Sequence, residues 1–175
     1  MNIGYVMTAG KGDMDRLLFQ VGERLQSLGK IPCGVVQINS EAEVGGPCDM
    51  DVRVLPDGPV LRISQNLGRE SRGCRLDAEA LENAVELVNT RLTAGVDCLI
   101  INKFGKQEAA GRGFRATIAE ALAQDLPVLV GLNALNEEAF LIFTDGLAEH
   151  LPDDRDQILA WMVEKTTSAG GQSAA

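Results

Sequence analysis

Lys103, Lys106, Arg112 and Arg115 fall inside one stretch, LIINKFGKQEAAGRGFR, with Gly105, Gly111 and Gly113 spaced among them. Cations on a glycine-rich loop suit the capture of an oxyanion. The ammonium groups bring point charge, the guanidinium groups bring forked donors, and glycine lets the backbone come close. A second basic window, Arg62, Arg69, Arg72 and Arg75, lies in LRISQNLGRESRGCRLD, so two short windows hold half of the 16 basic residues. The chain as a whole is acidic, with a formal net charge of -9. A local positive field on an acidic chain points to a small anionic ligand. It excludes a general nucleic-acid binder, which needs a broad basic face to displace counterions from phosphates. In the resulting picture Lys103, Lys106, Arg112 and Arg115 hold charge, and Arg69, Arg72 and Arg75 close over it.

A third glycine-rich segment, AGKGDMD, adds Lys11 to the candidate anion-binding set. It invites comparison with the phosphate loop, G-x-x-x-x-G-K-[ST], whose amides and lysine hold phosphates while a hydroxyl reaches magnesium. The match is incomplete. Gly10 and Lys11 supply the GK step, but Tyr5 stands at the first glycine and Gly12 replaces the hydroxyl residue. Asp13 is expected to cap the following helix, where it also sets a carboxylate in the path of a phosphate. The later apolar strand ends in Asn102 and Lys103, where a nucleotide hydrolase carries metal-binding or water-orienting carboxylates. If the protein is an enzyme, Glu108 or Asp13 must supply the missing carboxylate. The alternative role for Glu108 is a salt bridge to Lys106 or Arg112. No residue pattern indicates a metal site. Cys33, Cys48, Cys74 and Cys98 are widely spaced, with Cys33 and Cys98 reading as buried apolar residues. Cys74 sits among arginines, and His150 reads as a lone histidine without chemistry.

The elements that must position these groups alternate. Ile3 to Thr8 reads as a strand, and Leu17, Leu18, Val21, Leu25 and Leu28 mark a helix face after it. Cys33 to Asn39 reads as a second strand. Asp51 to Leu55 and Val60 to Ser64 flank PDG as a β-hairpin. Asp77 caps a helix with Leu81, Val85, Val88 and Leu92 inside. CLIIN and PVLVGLN are continuous apolar strands of the kind buried on both faces of a parallel sheet, separated by a helix in FRATIAEALAQD that begins near Arg112. EEAFLIFT and Asp153 to Lys165 read as helical. The expected fold is α/β, a three-layer sandwich with a mostly parallel sheet and an inserted β-hairpin. Its ligands belong beyond the carboxyl ends of the strands. Residues 1–166 are expected to form a single α/β domain and 167–175 a disordered C-terminal tail. No apolar run approaches the roughly 20 residues of a membrane span, and the N-terminus opens directly on a strand, which predicts a cytoplasmic protein without membrane contact.

LRISQNLGRESRGCRLD, CLIINKFGKQEAAGRGFR and VLVGLNALN together resemble an uncharacterised bacterial family, domain of unknown function 2478. That family is itself similar to the small phosphate-loop nucleoside-triphosphatases. The resemblance implies a phosphate-loop-NTPase-like fold, in which a magnesium-associated carboxylate pair would precede a glycine at the position of Asn102-Lys103-Phe104-Gly105. It also implies a setting, because members are often encoded near genes for molybdate uptake or molybdenum enzymes. The leading expectation is therefore a non-hydrolytic accessory protein that binds an oxyanion or nucleotide phosphate, in molybdenum handling. Its ligand would be a nucleotide with magnesium or a molybdate-like oxyanion. The alternatives are a nucleoside-triphosphate hydrolase or phosphotransferase with rearranged catalytic residues, and a module whose basic loops grip a protein partner or a second copy of the chain.

Overall fold

The computed structural model describes residues 1–40, 49–65, 76–93 and 95–172. The strands are β1 (Ile3–Val6), β2 (Pro32–Ser40), β3 (Asp49–Leu55), β4 (Val60–Arg62), β5 (Cys98–Phe104), β6 (Val128–Leu132) and β7 (Glu149–Leu151). The helices are α1 (Asp13–Ser27), α2 (Ala78–Leu92), α3 (Lys106–Ala109), α4 (Arg115–Ala123), α5 (Glu137–Phe143) and α6 (Arg155–Gln172). The strands form one sheet in the order β4-β3-β2-β5-β6-β1-β7. All neighbours from β2 to β7 pair in parallel. The β3–β4 hairpin extends the sheet beyond β2 with antiparallel pairs.

Two apolar layers account for the sandwich. Along β5, Leu99 and Ile101 join the residues under α2, α4 and α5, whereas Cys98 and Ile100 join those under α1 and α6. All four are fully buried, as the period-2 alternation of a strand covered on both faces requires. Asp77 caps α2 as its position predicts, its Oδ1 accepting from the amides of Glu79 at 3.0 Å and Ala80 at 3.1 Å. In the hairpin turn the Gly58 amide donates to the Val54 carbonyl at 2.8 Å.

Three sequence expectations change, and one strand, β7, is added to them. The N-cap of α1 is Gly12, and Asp13 is the first helical residue rather than the cap. Leu28 lies past the end of α1 and is exposed. β7 is a three-residue strand beside β1, too short for its pattern to stand out from EHL alone. α6 continues to Gln172, so part of the expected tail is helical, while residues 173–175 lie outside the described residues.

The β2–β5 contact sets a strict local demand. Gly34 has φ +113° and pairs with Ile100, and a Cβ added there would overlap the Ile100 carbonyl. Backbone strain and steric overlap then act together. Gly34→Ala is expected to lower stability by about 2 kcal/mol or more in urea unfolding. A change below about 0.5 kcal/mol, the range of an unremarkable surface substitution, would contradict this account of the contact.

Candidate anion-binding site

Because β1, β2, β5, β6 and β7 run the same way, the loops that follow them open on one edge of the sheet. β5 continues past Asn102 to Phe104, with its register against β6 shifting between Ile101 and Phe104. Such irregularities re-aim side chains. Asn102 is buried, Lys103 is exposed, and Phe104 turns back into the core, where its ring meets Phe140 edge-on at 5.2 Å. Asn102 Nδ2 donates to Asp15 Oδ1 at 2.9 Å, a buried bond that joins the end of β5 to the first turn of α1.

Glu108 organises the following loop. Only 3% of it is exposed, and both carboxylate oxygens are used by the backbone. Oε2 accepts from the Gly105 amide at 2.9 Å and Oε1 from the Phe114 amide at 3.0 Å. Beside it, the Glu82 carboxylate on α2 accepts from the Gly113 amide at 3.0 Å. Gly113 itself has φ +57°, and a Cβ there would collide with Glu108 Oε1. Glu108 thus forms no salt bridge with Lys106 or Arg112 among the described residues. α4 begins at Arg115, later than expected, and the amides just before it already face two of the chain's own carboxylates. These occupy the place that an external anion would take at a helix N-terminus. Burial pushes the Glu108 carboxyl up from its ordinary range, against the amides of Phe114 and Gly105, which pull it down.

The predicted anion-binding residues separate into groups. Lys103 and Lys106 are exposed and line one cavity of about 290 Å³, together with buried Asn102 and Glu108. Arg115 turns elsewhere, its guanidinium 4.4 Å from the Phe143 ring centroid and its Nη1 donating to the Glu108 carbonyl at 3.3 Å. Arg112 is exposed in the loop ahead of α4, and Lys11 is exposed in the loop after β1. Neither lines the cavity. Among the described residues, Lys11, Lys103, Lys106 and Arg112 make no ion pair. Arg69, Arg72, Arg75 and Cys74 lie outside the described residues, as does Cys48. Arg62 of the same window serves the hairpin, its Nε donating to Asp51 Oδ1 at 2.8 Å. The thiols of Cys33 and Cys98 are buried, and burial pushes that of Cys33 up to about 11.

The loop after β1 is also internally compensated. Asp13 pairs with Arg16 at 3.6 Å, and its carboxylate fills the space beside Gly10, where an added Cβ would overlap Oδ2. With Asp15 it makes the first turn of α1 acidic, which satisfies the positive end of the helix dipole from within. A magnesium ion fits this donor set poorly. Gly12 offers no hydroxyl, β5 brings Asn102 and an ammonium group, and no cluster of three or more His, Cys, Asp or Glu residues could hold a metal among the described residues. Among the described residues no helix is long and apolar enough to cross a membrane.

The family model described as a protein of unknown function, DUF2478, matches residues 3–161. The chain belongs to that family. A relative from Bradyrhizobium diazoefficiens, described as Molybdenum import ATP-binding protein ModC 2, is 35% identical over 159 residues. The match takes in 91% of this chain but spans only 18% of that relative's length. Among solved structures, a human cancer-related nucleoside triphosphatase matches across 100% of both chains, with a TM-score of 0.61 and 19% identity. The fold of this DUF2478 protein is accordingly that of the phosphate-loop NTPases, with the sheet and hairpin described above.

Sequence reasoning missed Asp15 as the partner of Asn102, and Glu82 as an internal acceptor. Asn102 carried a signal, being polar at the end of an apolar strand. Glu82 carried none, since it shares α2 with Glu79 and Glu86 and looks like part of a solvated face.

Glu108→Gln tests the staple. The amide has one acceptor where the carboxylate has two, so one of the Gly105 and Phe114 amides loses its partner, at a cost of about 1–3 kcal/mol. A carboxyl raised above its ordinary 4.5 in the folded state binds its proton more readily there. Its contribution to stability is therefore full below that value and is lost as pH rises through the raised value. Denaturant unfolding across this range is expected to show the deficit of the variant shrinking as pH increases. Parallel pH profiles would refute the assignment.

Proposed function

We propose that this DUF2478 protein binds the phosphate groups of a nucleotide at the carboxyl edge of its sheet, through Lys103 and Lys106, and does not hydrolyse them. The observation that carries the reading is the pair of exposed lysines without ion-pair partners among the described residues, set directly after β5. Lys11 and Arg112 are further donors on the exposed loops, and Arg69, Arg72 and Arg75 retain the closing role assigned from sequence. The fold, and the ATP-binding description of the Bradyrhizobium relative, support a nucleotide as the source of the phosphate.

Two features argue against turnover. Glu108 has both oxygens engaged by backbone amides, so it is poorly placed to accept a proton from water. Asp13 serves the first turn of α1 and pairs with Arg16. A second reading, binding of molybdate or a similar oxyanion in an accessory role, draws on the relative's description as a molybdenum import protein. A tetrahedral oxyanion asks for the same donors as a phosphate.

Thermal unfolding at low salt separates these readings, because a ligand present at a hundred times its Kd stabilises the native state by about 2.7 kcal/mol. ATP or GTP is expected to raise the transition without a need for magnesium, and the Lys103→Ala/Lys106→Ala double variant is expected to lose the shift. ATP should remain intact on incubation. Magnesium-dependent turnover abolished by Glu108→Gln or Asp13→Asn would overturn the non-hydrolytic reading. A shift with molybdate and tungstate but not nucleotides would transfer the assignment to the second reading.

A further inference from the structure

The cavity beside Lys103 and Lys106 has the wrong walls for a bare inorganic anion. Val52, Ile63, Leu81 and Phe114 line it, all buried and apolar, and the lysines stand at its exposed side. At about 290 Å³ it lies near the lower end of small-molecule pockets, which run from roughly 300 to 1,000 Å³. Such a volume would hold on the order of ten waters, at about 30 Å³ each, against walls that offer few hydrogen bonds. A tetrahedral oxyanion placed among these side chains would lose donors for most of its oxygens.

Asn102 also borders this cavity, but its Nδ2 is turned to Asp15 and its Oδ1 is enclosed, so recognition falls to the apolar walls and the two lysines.

We propose that this cavity is a binding site for a small organic anion, with an apolar body against the walls and its anionic group on Lys103 and Lys106. The assignment rests on the reading of these lysines as anion-binding groups and extends it to the rest of the ligand. A nucleobase carrying a phosphate and an aromatic carboxylate share this chemistry.

Indole-3-carboxylate is a suitable probe, since it joins a largely apolar ring system to a carboxylate. Isothermal titration calorimetry on the full chain is expected to show one-site binding. Binding should weaken about tenfold or more for the Lys103→Ala/Lys106→Ala variant. Val52→Phe fills the cavity from β3, and Met50→Trp does so from a half-buried position more tolerant of a larger side chain. Both should abolish probe binding while the thermal shift with ATP persists if the phosphates bind outside the cavity. Loss of both responses, with the unfolding transition retained, would place the nucleotide in the cavity too and also support the proposal. No probe binding at millimolar concentration, or binding unchanged in Met50→Trp, would overturn it. In that case a surviving ATP shift would leave the phosphate-binding function standing, whereas absence of both responses would remove the two together. Probe binding without any ATP response would retain the organic-anion site and reject the nucleotide as its ligand.

Discussion

The carboxylate of Glu108 is the constraint on which the rest of the edge depends. It brings the amides of Gly105 and Phe114 to one buried side chain, across the whole stretch, α3 included, that separates β5 from α4. Lys103, just ahead of the stapled stretch, and Lys106, within it, both line the cavity. Gly113 accepts the close approach of the carboxylate that any larger residue would block.

The same economy of charge governs both helix starts near this edge. Asp13 and Asp15 meet the positive end of α1, while Glu108 and Glu82 take the amides leading into α4. A phosphate-loop fold commonly leaves such amides for its ligand. Here the amides leading into α4 are taken from within and the first turn of α1 carries its own carboxylates, so attraction for an anion shifts to side-chain ammonium groups. The overall acidity of the chain does not oppose this arrangement, because exposed charges further away than about a Debye length are screened by salt.

The architecture was legible where burial imposes a period. The continuous apolar runs of β5 and β6 marked strands covered on both faces, and Asp77 announced the start of α2. The site was legible by residue type but not by partner. Lys103 and Glu108 stand in the same short stretch, yet only the fold separates an exposed cation from a carboxylate enclosed by two amides. Arg115 shows the same limit, since its aromatic partner Phe143 is distant in sequence. Burial and backbone geometry decided these roles, and neither is written in the spacing of charges.

The Asn102–Asp15 bond also bears on how this chain can change over time. A carboxylate at the end of β5 would face the carboxylate of Asp15 across the present hydrogen-bond distance of 2.9 Å, in a buried place where two like charges cannot both remain ionised. Replacement at either position alone therefore meets resistance from the other. A carboxylate at the end of β5 would therefore have to arrive together with the loss of the Asp15 charge.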